Sequence, residues 1–256
     1  MHRADPRLKI CLTIFAIVLI FAAGNFFSLG AAILFVASGI LLSRIPLKLY
    51  LKSLKPILFI VVFTAALNVF YGTGEPIWQW WLIKITKNGL LNSLFVTIRI
   101  VVLILASSVL TFTTSPTQLT DAIERLLKPL AKLGAPVHEF AMMMTIALRF
   151  VPLLLEETDK IMSAQKARGA DMESGGVVQR IKALAPVLIP LFVSAFRRAF
   201  DLATAMESRC YHGGEGRTKM KVLHFGGTDW LVLAGAVVTL GAFIALNAAF
   251  PPAIVR

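Results

Sequence analysis

Two arginines in the polar middle of this very hydrophobic chain have similar surroundings. One lies in Lys166-Ala167-Arg168-Gly169 and the other in Glu207-Ser208-Arg209-Cys210-Tyr211. The apolar spacing before each predicts that each stands at the end of a long helix. A planar guanidinium with five donors can bind carboxylates or carbonyls bidentately, which lysine cannot do. The pair therefore predicts a surface with two similar partner sites.

Small residues flank both arginines and would let a partner's backbone come close: Ala167, Gly169 and Ser208. The alternative is purely structural. A basic residue in a last helical turn binds free carbonyls and complements the helix dipole, which contributes about 0.3–1 kcal/mol. Two such ends in one chain favour the partner-binding interpretation over simple capping.

Three helices are predicted to carry these groups. Ser115 caps the first, which stops at Gly134. The second runs from about Pro136 to Arg168, with Gly169 as its left-handed stop. The third runs from about Val177 to Arg209. Together they form a predicted cytoplasmic domain at 113–228, between N-terminal membrane helices at 1–112 and a C-terminal membrane helix at 229–256. The predicted fold is therefore all-α.

The composition indicates an integral membrane protein. The chain is 57% hydrophobic and only 16% charged, with a mean hydropathy of +0.77, against about 25% charged residues in soluble domains. The net charge of +12 comes from basic residues at the ends of apolar runs, which marks cytoplasmic loops rather than a nucleic-acid surface. Two cysteines, Cys11 and Cys210, are too few and too differently placed for a disulfide framework.

Five membrane spans are predicted from the apolar runs. Gly24-Asn25 divides the first long run into two helices, and an uncleaved hairpin is favoured there over a cleaved secretory signal. The basic residues at both outer ends of this hairpin place the N-terminus in the cytoplasm and the C-terminus outside. A loop with Trp78, Trp80 and Trp81 suits the membrane interface. The spans are 10–23, 26–42, 56–71, 89–112 and 230–250.

Two features leave alternatives open. Residues 140–155 and 183–196 could form a further transmembrane hairpin, but internal prolines favour long amphipathic helices in or below the cytoplasmic interface. Arg99, midway along the fourth span, is either a transport-pathway residue or a side chain paired with backbone carbonyls or a polar neighbour.

Several motifs are missing from the sequence. It contains no phosphate-binding loop, no zinc-protease or paired-cysteine metal motif and no serine-hydrolase elbow. The five predicted spans contain no carboxylate, which a proton- or sodium-coupled carrier would usually need. These absences indicate a membrane subunit that is energised by another protein and binds no metal or cofactor itself.

Three stretches carry a resemblance over nearly the whole chain: residues 147–152 (Ala-Leu-Arg-Phe-Val-Pro), 165–170 (Gln-Lys-Ala-Arg-Gly-Ala) and 205–211 (Ala-Met-Glu-Ser-Arg-Cys-Tyr). With them the chain resembles the transmembrane T component of energy-coupling factor (ECF) transporters, the EcfT/CbiQ family of vitamin and metal-ion importers. Its second motif, Ser208-Arg209-Cys210, departs from the family's Ala-Arg-Gly pattern.

The resemblance implies a non-catalytic, multi-pass subunit in the plasma membrane of a prokaryote. Arg168 and Arg209 would each dock on one of two ABC-type ATPase subunits, a homo- or heterodimer that holds the ATP and magnesium. A separate S component would capture a vitamin or other micronutrient. The expected S-component contacts lie on the second and third helices: Met142, Met143, Met144, Leu188, Leu191 and Phe192.

Three rival functions remain open at this stage. The first is a conventional ABC importer permease, although its Glu-Ala-Ala coupling signature is not found. The second is an autonomous secondary carrier or channel, and the third is a membrane scaffold without a transport role.

Overall fold

The computed structural model describes residues 4–70, 76–80, 83–170, 176–214 and 226–250. Almost all of these residues are helical, which confirms the predicted all-α membrane class. The first helices are α1 (Pro6–Ala22), α2 (Phe26–Ser43), α3 (Leu47–Leu54), α4 (Leu58–Phe70) and α5 (Lys87–Thr113). The later ones are α6 (Pro116–Leu126), α7 (Lys128–Ala131), α8 (Val137–Ala167), α9 (Val177–Glu207) and α10 (Gly227–Ala249).

Six helical stretches in the described residues are long and apolar enough to cross a membrane. They are Phe26–Ser43, Leu47–Val69, Asn88–Thr113, Val137–Ala167, Val178–Glu207 and Asp229–Ala249. α1 has 17 residues and is about 25 Å long, so it falls just short of that length. The two long helices α8 and α9 are among these six, so their length and composition fit the transmembrane-hairpin alternative as well as the amphipathic one.

The chain divides into two compact units. Unit 1 comprises residues 1–122 and 222–256, and unit 2 comprises residues 123–221. α6 begins in unit 1 and ends in unit 2, whereas α8 and α9 lie wholly in unit 2.

The core of unit 1 lies where α1, α2, α5 and α10 pack together. Its centre contains Ile20 and Phe95, which are fully buried, and Leu29, which is 1% exposed. Phe26 packs edge-on against Phe95, with ring centroids 5.1 Å apart. Many outward-facing Leu, Ile, Val and Phe side chains on these helices are exposed, as expected of helices that a bilayer surrounds.

The turn between α1 and α2 confirms the predicted hairpin. Asn25 caps α2, because its side chain accepts a hydrogen bond from the Ser28 N–H at 2.7 Å. Its amide also donates to the Phe250 carbonyl at 3.0 Å. The turn is thereby fastened to the C-terminal end of α10.

Arg99 makes a contact of the kind expected from pairing with a backbone carbonyl. Its guanidinium donates to the Ala23 carbonyl at the end of α1, and its Cζ lies 4.6 Å from the centroid of the Phe95 ring. A free helix-end carbonyl and an aromatic face are the kinds of partner that a charge inside a membrane needs.

The third predicted span begins earlier than residue 56. α3 starts at Leu47, and a short 3-10 turn, Lys55–Ile57, joins it to α4. Pro56 explains the tighter turn, since it removes an N–H from the helical ladder. Beyond α4, the antiparallel strands β1 (Pro76–Trp80) and β2 (Ile83–Thr86) form a hairpin. Trp78 and Trp80 lie in β1, while Trp81 is outside the described residues.

The predicted helix from Ser115 to Gly134 is wrong as a single element. It is broken between α6 and α7 because Pro129 has no N–H to bond the carbonyl four residues earlier. Its cap is as predicted, since the Gln118 N–H donates to Ser115 Oγ at 3.4 Å. The next two helices, α8 and α9, match their predicted bounds within two residues.

Candidate functional site

The C-terminal end of α8 forms a Schellman turn. The Gly169 N–H donates to the Lys166 carbonyl at 3.0 Å, and the Ala170 N–H reaches back five residues to the Gln165 carbonyl at 3.0 Å. Gly169 has a φ of +84°, which glycine adopts without strain. The glycine therefore ends the helix, as the sequence predicted.

The C-terminal end of α9 has the same hydrogen-bond pattern. The Cys210 N–H donates to the Glu207 carbonyl at 2.8 Å, and the Tyr211 N–H donates to the Met206 carbonyl at 3.1 Å. Here the left-handed residue is Cys210, with a φ of +56°, and not a glycine. Cys210 is one of the expected coupling residues, but its side chain gives no sequence signal for this conformation.

Arg168 and Arg209 occupy the same position in these two turns, directly before the left-handed residue. Both residues are exposed. In the parts of the chain that the structure describes, neither guanidinium makes a hydrogen bond or an ion pair. The carbonyls around each arginine are bonded by backbone N–H groups instead, so both side chains project from the helix ends with their donors available.

An ion pair joins α8 to α9 at matched distances from the two arginines. Arg198 Nη2 lies 2.8 Å from Glu157 Oε2, and its Nε donates to Ser194 Oγ at 3.4 Å. Arg168 follows Glu157 by 11 residues, and Arg209 follows Arg198 by 11 residues. Each arginine is therefore about 16 Å along its helix from the ion pair.

Comparison with known proteins places this architecture in a family. The model of the cobalt transport protein family CbiQ matches residues 1–220. The chain belongs to the CbiQ family. This assignment confirms the family that the sequence motifs indicated.

Curated relatives of this CbiQ-family chain share its full length. The energy-coupling factor transporter transmembrane protein EcfT of Ruminiclostridium cellulolyticum is 52% identical over 250 residues, which cover 98% of this chain and 94% of the relative. The protein of the same name from Acidaminococcus fermentans is 49% identical, over 96% and 91%. That from Bacillus subtilis is 46% identical, over 97% and 94%. The chain is thus a multi-pass membrane component of the transporter type.

The residues expected to contact an S component lie on the two long helices of this CbiQ-family protein. Met143, Met144, Leu188 and Phe192 are exposed, with Met143 at 58% and Phe192 at 62%. Met142 and Leu191 are half-buried. The apolar stripe on α9 has half-buried members and exposed members. The half-buried ones are Leu191, Ala195, Leu202 and Met206, and the exposed ones are Leu184, Leu188 and Ala199.

Sequence reasoning missed two side-chain contacts in unit 2. The Glu157–Arg198 pair joins residues 41 positions apart, and no local pattern identifies such a pair. His138 Nδ1 lies 3.1 Å from Glu124 Oε1, and Gly214 sits against the same imidazole, where an added Cβ would come within 2.3 Å of His138 Cδ2. The segment that follows Arg209 is thus packed on the beginning of α8.

Among the residues that the structure describes, no three His, Cys, Asp or Glu side chains are grouped so as to hold a metal ion.

Proposed function

We propose that this chain is the energy-coupling subunit of an ECF-type importer, which links ATP hydrolysis by two ATPase subunits to movement of a substrate-binding S component. The cargo class would be vitamins or other micronutrients, captured by the S component. The chain itself would be non-catalytic and bind no cofactor, while ATP and magnesium would belong to the ATPases. The N-terminus and the domain at 113–228 would face the cytoplasm of a prokaryotic cell.

One observation carries the proposal: two equivalent helix ends each present an exposed arginine from the same position of the same turn. A dimer of ATPases offers two similar grooves, and each exposed arginine would dock in one of them. A guanidinium can bond to groove carboxylates or carbonyls through several donors at once. Small neighbours such as Ala167 and Gly169 leave room for the groove's backbone.

The exposed apolar side chains on α8 and α9 supply the second contact. Isolated exposed apolar residues are common, but an extended set on two adjacent helices indicates a protein or membrane partner. Methionine adapts to differently shaped partners, so Met143 and Met144 suit a surface that accepts a membrane-embedded S component.

The test compares the wild-type chain with Arg168→Glu, Arg209→Glu and the double variant, each co-expressed with its candidate ATPase pair and S component. The measurements are the amount of ATPase subunit that co-purifies with the chain and the ATP-dependent uptake of substrate. Charge reversal is expected to weaken ATPase retention in each single variant and to abolish uptake in the double variant. Arg180→Glu, an exposed arginine near the start of α9, is the matched control and is expected to behave like wild type.

Lysine substitutions separate docking from helix capping. Lysine keeps the charge that favours a helix C-terminus but lacks the bidentate donors. Arg168→Lys with Arg209→Lys should therefore reduce ATPase retention without changing thermal stability. Normal assembly and uptake in the double Glu variant would show that both arginines act only as helix caps.

A further inference from the structure

A groove of about 900 Å³ lies within unit 1, lined by residues of α1, α2, α5 and α10. Its walls are mostly apolar, and each helix contributes at least one small residue to them. These small residues are Ala16, Gly39, Ala106 and Gly235. An added Cβ at Gly235 would meet no atom within 4 Å, so this position faces open space. The groove is therefore a gap in the packing of four apolar helices.

The groove reaches the outer surface of unit 1 between α2 and α10. These two helices are fastened at the opposite end, where the Asn25 amide donates to the Phe250 carbonyl at 3.0 Å. Leu34 of α2 and Val238 of α10 both line the groove, and they are 73% and 72% exposed. A bilayer around these helices would therefore have direct access to the groove.

The groove has the length of one lipid leaflet. It follows α2 from Ala31 to Ser43 and α10 from Leu231 to Ala242, which is about 17 Å of helix on each wall. One leaflet contributes half of a hydrocarbon core that is about 30 Å thick. One end of the groove lies at the start of α1 and the end of α2, which the flanking basic residues place at the cytoplasmic surface.

Two cations line the groove at this end, Lys9 and Arg44, and none of the described residues that line it is acidic. Lys9 is 4% exposed. Its ammonium has three donors, and in the described part of the chain its Nζ makes one hydrogen bond, to the Thr113 carbonyl at 2.9 Å. The Arg44 guanidinium makes no hydrogen bond or ion pair with a described residue. Both cations therefore have donors available for an acceptor in the groove.

The nearby carboxylates do not supply that acceptor. Asp229 and Asp5 attract Lys9 electrostatically, but their oxygens bond elsewhere. Asp229 accepts from the N–H groups of Asp5 and Gly226, at 3.2 Å and 2.8 Å. Asp5 accepts from the Arg7 N–H at 2.9 Å. Since neither carboxylate lines the groove, the charge that faces its interior is positive.

We propose that the groove is a binding site for an anionic phospholipid, with an acyl chain between α2 and α10 and the phosphate bonded to Lys9 and Arg44. Phosphate oxygens accept strong hydrogen bonds from ammonium and guanidinium groups, and anionic lipids are attracted to basic side chains at the cytoplasmic surface. A soluble phosphate would leave the apolar length of the groove unfilled. A lipid without net charge would leave the positive charge of the groove uncompensated.

The experiment measures lipid binding to the full chain, purified in detergent, by mass spectrometry of the intact protein–lipid complex. The probes are phosphatidylglycerol, phosphatidylcholine with the same acyl chains, and glycerol 3-phosphate. Arg44→Gln removes a phosphate donor, and Lys48→Gln is its control, at an exposed cation of α3 outside the groove. Gly235→Phe fills the groove. Gly241→Phe is its control, because Gly241 also meets open space but does not line the groove.

The wild-type chain is expected to bind phosphatidylglycerol at least about fivefold more tightly than phosphatidylcholine, the factor that one basic side chain contributes toward an anionic lipid. Arg44→Gln should lower the affinity for phosphatidylglycerol by about fivefold and leave that for phosphatidylcholine unchanged. Gly235→Phe should lower the affinity for both lipids, because its ring occupies the space of the acyl chain. Both control variants should bind like wild type.

Equal affinities of the wild-type chain for the two lipids would overturn the proposal, as would equal losses in Gly235→Phe and Gly241→Phe. Glycerol 3-phosphate that binds as tightly as phosphatidylglycerol would assign the site to a soluble phosphate instead. Release of the bound lipid on addition of an S component would assign the groove to a protein partner. If Gly235→Phe does not fold, Arg44→Gln, at an exposed residue, decides: an unchanged preference for phosphatidylglycerol overturns the proposal.

Discussion

The ion pair between Glu157 and Arg198 should set how the two arginines are presented. We predict that Glu157→Met and Arg198→Met each weaken binding of the ATPase pair, although neither residue belongs to the arginine turns. Methionine is a good helix former of similar length, so each substitution removes the charge with little change to α8 or α9.

The size of the effect follows from geometry and exposure. Because each arginine is about 16 Å from the pair along its helix, a rotation of about 10° at the pair displaces a helix end by roughly 3 Å, the length of a hydrogen bond. The side chains of Arg198 and Glu157 are 37% and 23% exposed, so solvent screens the pair and its loss should have a small effect. We expect binding of the ATPase pair to weaken by roughly two- to fivefold.

The assay is a double-mutant cycle on the affinity of the purified chain for its ATPase pair. Because both substitutions remove the same interaction, the affinity of the double variant for the ATPase pair should be no lower than that of the single variant with the lower affinity. Glu156→Met and Arg197→Met, the exposed neighbours of the two residues, are the controls and should bind like wild type. Additive losses in the double variant, or equal losses in the controls, would refute the reasoning.

Three further predictions concern unit 2. Gly169→Ala should lower the thermal midpoint by an amount equivalent to about 1 kcal/mol, because a φ of +84° strains any side chain although no atom lies within 4 Å of the added Cβ. Cys210→Gly, measured in the same thermal scan, should have no such cost. It should raise the midpoint if the strain at the Cys210 φ of +56° exceeds the added freedom of the unfolded chain. Gly214→Ala should destabilise the fold by about 1–3 kcal/mol, because the added Cβ would overlap His138. Gly241→Ala, whose added Cβ meets open space, should be neutral or mildly stabilising. Equal unfolding midpoints for the two variants would contradict this packing. Met143→Lys with Phe192→Lys should reduce retention of the S component in a pull-down while leaving ATPase retention intact, and loss of both partners together would instead indicate misfolding.

The sequence was most informative where a feature is local. The turn at Gly24-Asn25, the Ser115 cap and the stop at Gly169 each depend on residues within a few positions, and all three are present in the structure. Helices α8 and α9 were predictable for the same reason, since their apolar periodicity persists over about thirty residues.

Features that depend on distant residues could not be predicted in this way. The Glu157–Arg198 pair and the Lys9–Thr113 hydrogen bond join positions 41 and 104 apart, so no window of the sequence contains both partners. The break at Pro129 was predictable and was missed, because a proline lies inside the predicted helix. Cys210 was unpredictable for the opposite reason: nothing in its side chain favours a left-handed backbone.

The departure at Cys210 strengthens the case that the arginine turns are functional. A helix stop needs only a residue that tolerates positive φ, and glycine does so without cost. In α9 the same turn, with the same two hydrogen bonds, is formed around a cysteine at a cost of about 1–2 kcal/mol. Capping alone gives no reason to keep the arginine at the identical position in both turns when the residue that makes the turn differs. A requirement to present two guanidiniums in one geometry, at equal distances from one ion pair, does give that reason.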